Sequence, residues 1–452
     1  MLAGVVAAAA LVGVIVAIVV SSGDGGPSTT RAGSGGSTSP VTTPRRTTRT
    51  TRSASTSTST ATRTTPARRG PTDPVDTTSV HIPPPPGRKS ARTRTLIIGT
   101  VDDAIAQKDP RFRQGQVDIS RDAGFDAAVL SSMWQRGQRR PLRVSVNVMR
   151  GVARAARRAR MKLFVVVWHG FARNTPRTPA ERADFAAYAA ALVKAVPGVR
   201  HVIVGNEPNL NTFWEPQFGS GGRDVAAFAY ADLLARSYDA IKQADPGVRV
   251  LGGAVSPRGA DRPQGARPTH SPTAFIRDLG TAYRRSGRKR PLMDGFAFHP
   301  YMQASRVSPT QAHPQNRSIT IADYPKLVAL LNEAFGGTAQ PGARLPIYYT
   351  EFGVQTNVPP SKRALYSDFE SPERSDSVGF ATQAAYYRTA IQLAYCQPTV
   401  RGLFLFHTFD EADLGGWQSG LYFPDRTPKP SLPAFKKAVA DLRNGRLPRC
   451  PR

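Results

Sequence analysis

The chain has 452 residues, with 61 Lys and Arg against 32 Asp and Glu, a formal net charge of +29. Two cysteines exclude a disulfide scaffold and any four-cysteine zinc module. There is no Gly-X-Y period, no sustained heptad and no second long apolar run, which excludes collagen, coiled coil and a multi-span membrane protein.

Residues 2–20 are uncharged and almost wholly apolar, long enough to cross a bilayer. They predict a transmembrane or signal-anchor segment over 1–20, and with it an extracytoplasmic protein, membrane-anchored or secreted. Residues 21–94 are rich in Ser, Thr, Pro and Arg and carry 12 Lys and Arg against 3 Asp and Glu. Such a stretch has too little apolar surface to offset its ordering entropy and reads as a disordered linker. It is a solvated tether, or else a basic arm held against an acidic cell-envelope polymer. It lacks the interleaved aromatics that stack bases, so no nucleic-acid partner is expected. Residues 95–452 keep 49 basic against 29 acidic side chains, a net +20, which suggests a polyanionic neighbour or substrate.

From residue 95 onward short β-branched runs alternate with amphipathic stretches. Strands are expected over 95–100, 126–130, 163–168, 201–204, 249–254, 295–299, 346–350 and 402–407. Helices are expected over 112–123, 145–160, 179–195, 225–243, 272–285, 324–335, 379–395 and 433–442. Gly and Pro pairs such as Pro197-Gly198, Pro246-Gly247 and Gly336-Gly337 mark the joins. Eight β–α units in about 350 residues specify an α/β fold, a (β/α)8 TIM barrel with extended loops over 95–452. A doubly wound sheet would need a Gly-rich phosphate loop after its first strand, and Ile97-Ile98-Gly99-Thr100-Val101-Asp102 is not one.

Barrel chemistry sits at the carboxyl ends of the strands. All four tryptophans fall there: Trp134, Trp168, Trp214 and Trp417. Flat aromatic faces at such places suit sugar rings. His169, His299 and His407 lie at strand ends too. The fourth strand runs into Asn206-Glu207-Pro208-Asn209 and the seventh into Glu351-Phe352-Gly353. Only a closed barrel brings these two glutamates together, and paired carboxylates across its mouth suit glycoside hydrolysis. One ionised glutamate attacks the anomeric carbon. The other holds a proton for the leaving oxygen, and its pKa is expected to be raised. Asp102 and Asp103 either bind sugar hydroxyls or cap a helix, and Asp410 and Glu411 are candidate rim contacts. No spacing of His, Cys or Glu reads as a metal site, and no cofactor is implied. Cys396 and Cys450 either pair as one disulfide in an exported protein or remain two free thiols.

The arrangement resembles clan A retaining glycoside hydrolases, in which an Asn-Glu pair ends the fourth strand and a Glu ends the seventh. The run Asn206-Glu207-Pro208-Asn209-Leu210 with Phe213-Trp214 and Val250-Leu251-Gly252-Gly253 resembles family 39. Trp168-His169-Gly170, His299-Pro300-Tyr301 and Thr350-Glu351-Phe352-Gly353 look more like family 5. The resemblance implies that Glu207 is the acid/base and Glu351 the nucleophile. It implies that Asn206 bonds the sugar 2-hydroxyl, that Tyr301 bonds the nucleophile, and that His299 and His169 line the site. Trp168, Trp214 and Trp417 are the candidate stacking surfaces. The sequence departs from family 5 at Leu130-Ser131-Ser132, where an Arg is usual, and from family 39 at Gly205, where a Trp is usual. The expected substrate is a β-linked extracellular or envelope polysaccharide. A non-catalytic carbohydrate-binding or wall-attachment protein on the same barrel, and a transglycosylase, stay open as alternatives.

Overall fold

The computed structural model describes residues 70, 73–78, 80–81, 96–368 and 376–450. The expected transmembrane segment and most of the expected linker lie outside the described residues. Among the described residues no helix is long and apolar enough to cross a membrane.

Eight parallel strands close on themselves: β1 (Ile97–Val101), β2 (Ala127–Met133), β3 (Lys162–Trp168), β4 (Val199–Val204), β5 (Arg249–Val255), β6 (Gly295–Phe298), β7 (Ile347–Phe352) and β8 (Val400–Phe406). The ring is sealed where β1 pairs with β8, Ile97 to Gly402 through Val101 to Phe406. The outer helices are α1 (Pro110–Ala123), α2 (Arg143–Arg158), α3 (Pro179–Ala195), α4 (Ala226–Ala244), α5 (Pro272–Arg285), α6 (Tyr324–Phe335), α7 (Phe380–Cys396) and α8 (Leu432–Arg443).

Alternation along each strand divides the side chains between two cores. Ile97, Val129, Phe164, Ile203, Leu251, Tyr348 and Phe404 point inward and fill the barrel. Large and small residues alternate across it. A Cβ on Gly99 would come within 2.2 Å of the Phe404 ring, so glycine there makes room for it. His201 stacks on Phe164 with ring centroids 4.0 Å apart, and burial lowers its pKa to about 4, which keeps it neutral in this core. Outward residues such as Ile98, Val165, Val202 and Val250 meet the helices.

Local chemistry starts and stops the helices. Thr178 and Glu181 form a capping box on α3, Asp109 caps α1, and Ser271 caps α5. Gly124 ends α1 at φ +114°, a left-handed turn that glycine adopts without strain.

Two boundaries differ informatively from the sequence pattern. β2 continues through Ser131 and Ser132 because both pair with β3 and the Ser132 hydroxyl meets the Tyr188 hydroxyl at 3.0 Å. A polar pair that interrupts the apolar run is thus satisfied inside the sheet. β7 continues through Glu351, which places that carboxylate on the strand rather than on the loop after it.

Part of the stretch expected as linker is described, over 73–78 and 80–81. Val75 and Val80 pack against the barrel core, and Arg277 on α5 donates to the carbonyls of Asp73 and Pro74. A short piece of the low-complexity stretch is therefore part of the folded unit.

Cys396, at the end of α7, is bonded to Cys450, with Cα atoms 5.4 Å apart and 54 positions between them in sequence. Closing a loop of that length restricts the unfolded chain. The Cys396→Ser, Cys450→Ser double variant is expected to lose about 2–4 kcal/mol of unfolding free energy. Chemical denaturation of the oxidised protein and the variant checks this; equal midpoints would refute it.

Candidate active site

Glu207 is positioned by an unusual backbone. The chain leaves β4 through Gly205 at φ +81°, where the Tyr230 ring is 3.0 Å from the place a Cβ would occupy. Glu207 itself has φ +39°, a left-handed conformation that costs a non-glycine residue about 1–2 kcal/mol. Its N–H donates to the Ala254 carbonyl at 2.8 Å, and its carbonyl accepts from Leu210 at 2.9 Å. The buried Asn209 locks this turn to the end of β5. Its side-chain oxygen accepts from the Ser256 N–H at 2.9 Å, and its amide donates to the carbonyls of Ser256, Arg258 and His270. Asn209 was legible only as part of a motif; its work is to hold Glu207 in place.

Glu351 comes from the opposite side of the ring, on β7. The two carboxylates meet at one imidazole. His299 Nδ1 lies 3.0 Å from Glu207 Oε1 and 3.5 Å from Glu351 Oε2. The Tyr301 hydroxyl donates to Glu351 Oε2 at 3.0 Å. Both carboxylates are nearly buried. Burial and the Glu207 charge push the Glu351 carboxyl above its ordinary value, while His299 and Tyr301 pull it down less strongly. Burial alone would depress His299, but the facing charges of Glu351 and Glu207 outweigh it and leave the imidazole raised.

The Tyr301 hydrogen bond stabilises the ionised form of Glu351, so removing it raises that carboxyl further. Tyr301→Phe is expected to move the acid limb of the pH–kcat/KM profile to higher pH. It should also lower the plateau by about 10–100-fold, the worth of a hydrogen bond to a charged group. An unmoved acid limb would show that Glu351 is not the group titrating there.

Beside Glu351 lies a cavity of about 350 Å³, within the range of small-molecule sites. Asn206, Trp168, Asp102, Asp103, His407 and Glu411 all line it. The Trp168 indole N–H is buried and has no hydrogen-bond partner. Asp102 caps a single 3₁₀ turn through the Ala104 N–H and also accepts from the Thr408 N–H, tying β1 to β8. Asp103 accepts from the Ser131 N–H at 2.7 Å. Burial pushes both carboxyls up, with His407 opposing. His407 Nε2 lies 3.3 Å from Glu411 Oε1.

Three expected sugar contacts are corrected. Trp214 is 1 % exposed and sits edge-on to Tyr230 and His169 in the outer core, so it offers no face to a sugar. His169 is equally buried, 3.2 Å from the Phe171 carbonyl, and burial lowers its pKa to about 4. Trp417 is packed against Tyr301 and Phe406, with centroids 5.2 and 5.4 Å away, and backs the Tyr301 ring from behind. Phe406 and Phe409 line the cavity instead. Trp134 is likewise core, its N–H on the Gln138 carbonyl. Of the four tryptophans Trp168 alone lines the cavity. Asp410 borders the cavity, but its side chain is fully buried against Lys429 at 2.7 Å and the Tyr366 hydroxyl at 2.6 Å. Among the described residues no group of three or more His, Cys, Asp or Glu could hold a metal ion.

No family model and no curated protein matches the sequence. Solved structures match the fold. A GH5_18 enzyme from Streptomyces cattleya in complex with Manβ1-4GlcNAc is 16% identical, with a TM-score of 0.52 over 79% of this chain and 83% of that one. A glucosidase from Croceicoccus marinus is 14% identical, with a TM-score of 0.52 over 77% of this chain and 68% of that one. Xylanase 10B from Thermotoga maritima is 13% identical, with a TM-score of 0.50 over 79% of this chain and 98% of that one. The chain shares the (β/α)8 barrel of these glycoside hydrolases.

Proposed function

We propose that this protein is a retaining glycoside hydrolase acting on a β-linked polysaccharide outside the cytoplasm, with Glu351 as nucleophile and Glu207 as acid/base. The observation that carries the reading is the convergence of both carboxylates on His299 Nδ1. The two carboxylate oxygens are no farther apart than those two contacts laid end to end. That bound only reaches the lower edge of the roughly 6.5–9.5 Å separation of inverting enzymes and admits the roughly 5–5.5 Å of retaining ones.

The chemistry follows from the geometry. Glu351, oriented by Tyr301, attacks the anomeric carbon as Glu207 gives its proton to the departing glycosidic oxygen. The ester formed removes the Glu351 charge from the buried cluster. Glu207 then accepts a proton from water, whose oxygen attacks the same carbon and releases Glu351. His299 keeps an N–H between the two carboxylates throughout, which holds them at a fixed spacing. Asn206 lines the cavity beside Glu351, which supports it as the partner of the sugar 2-hydroxyl. The similar structures include one holding Manβ1-4GlcNAc and one called a xylanase, which supports β-linked sugar as substrate.

The test is a panel of β-linked polysaccharides and aryl β-glycosides, with products followed by NMR at the anomeric proton. Release of β-configured product first supports the reading. An initial α product would replace it with inversion, and silence of the folded protein on every aryl glycoside would remove it. Residues 1–20 as an anchor, and 21–94 as a tether or a basic arm on an acidic envelope polymer, belong to the same reading.

A further inference from the structure

One cation beside the carboxylates has no part in the mechanism. Arg258 follows β5, and its carbonyl is held by the Asn209 amide, two residues beyond Glu207. Its guanidinium reaches the Met302 carbonyl at 3.3 Å, next to Tyr301. The side chain therefore spans the barrel rim from the Glu207 turn to the residue after the nucleophile's hydrogen-bond donor. Burial works against its charge, and the carboxylates of Glu207 and then Asp376 favour it. Among the described residues the guanidinium makes no ion pair, and its one hydrogen bond there is to the Met302 carbonyl. The buried arginines elsewhere have more of their N–H groups used: Arg182 and Arg277 pair with Asp232 at 2.6 Å and Glu333 at 2.9 Å, and Arg113 is held by the carbonyls of Gln107 and Lys108. A half-buried guanidinium with most of its N–H groups unused has donors left for a ligand.

Its position says on which side of the scissile bond that partner lies. The cavity beside Glu351 is walled by Asp102, Asp103 and Glu411, which repel an anionic sugar, and Arg258 is not part of that wall. Arg258 stands instead on the flank of Glu207, the residue that in the proposed reaction gives its proton to the leaving sugar. We propose that Arg258 binds a carboxylate on the sugar immediately on the leaving-group side, so that the substrate is an acidic β-glycan. The inference rests on the glycosidase reading. A planar guanidinium fork matches a carboxylate with two parallel hydrogen bonds. Arg262 and Arg267, exposed on the same loop, and the net +20 of residues 95–452 bias a polyanion toward this flank.

The test uses the full chain carrying Glu351→Gln, which binds without cleaving. Calorimetric affinities would be compared for oligo-β-mannuronate and hyaluronan hexasaccharides and for the same glycans after carboxyl reduction. At least one acidic glycan should bind about 10–100-fold more tightly than its reduced form, with the gap shrinking at high salt. Arg258→Gln on the same background should erase the gap, and Arg258→Lys should keep part of it. Equal affinity for acidic and reduced forms, binding of neither, or a gap that survives Arg258→Gln overturns the inference. If Arg258→Gln fails to fold, carboxyl reduction of the glycan decides alone. Failure of the glycosidase reading is read separately, by covalent labelling of wild type with a 2-fluoro aryl glycoside, which carries no sugar on the leaving-group side. Labelling without acidic preference sinks only the Arg258 assignment. Acidic preference without labelling sinks the mechanism.

Discussion

Glu351→Gln is expected to lower kcat by about 10⁴-fold or more on every substrate the wild type cleaves, since it removes the nucleophile itself. The amide is isosteric, and its oxygen still accepts from Tyr301, so the fold and the cavity are preserved. The loss should therefore appear in kcat, with substrate affinity retained. Glu351→Ala makes a sharper version of the test. It empties the carboxylate site, and a small anion such as azide can then attack the anomeric carbon from the same face. The product would be an α-glycosyl azide, inverted relative to the substrate, from activated aryl glycosides that do not need much protonation. Labelling of wild type by a 2-fluoro glycoside should put the adduct on Glu351. An adduct elsewhere, or a Glu351→Gln protein with more than about one part in a hundred of wild-type activity, would move the nucleophile to another residue.

The barrel was legible because each of its units carries its own signal. Strands with β-branched runs, helices with 3–4 spacing and Gly or Pro joins repeat eight times, and tertiary packing overrides none of them. Three helices, over 179–195, 272–285 and 324–335, have the expected boundaries, and each begins at a Pro or beside one. The two glutamates were legible for a related reason: each ends an apolar strand, and closure of the ring brings them together. What the sequence did not show is which way a side chain at a strand end points. Trp214 and Trp417 follow their strands as sugar platforms would, yet both turn into the core, because each meets aromatic partners there: Tyr230 and His169 for one, Tyr301 and Phe406 for the other. The supporting residues were also hidden. Asn209 and Arg258 act through contacts with segments far away in the chain, and no local spacing reports those. Glu207 at φ +39° is equally invisible in sequence, since nothing but glycine announces a left-handed turn.

Removing Glu207 should separate the two halves of the reaction. Glu207→Ala takes away both the proton given to the leaving oxygen and the base that activates water. General acid–base catalysis of this kind is worth about 10²–10⁴-fold. On a natural glycan, whose leaving alcohol is a poor one, the first step should fall by that amount. On a dinitrophenyl glycoside, which departs without protonation, the first step should survive and the second should become limiting, so a burst of phenol precedes slow turnover. Azide needs no base, so it should restore the second step and give a β-glycosyl azide of retained configuration. That is opposite to the product from Glu351→Ala. The substitution also replaces a residue already strained at φ +39°, and alanine at that backbone angle is strained as well, so folding is checked with Glu207→Gln, which should show the same leaving-group dependence. If natural and activated substrates lose activity equally, Glu207 is not the proton donor. If azide gives the same anomer with both variants, the two glutamates do not stand on opposite faces of the sugar, and the double displacement derived from their meeting at His299 fails with them.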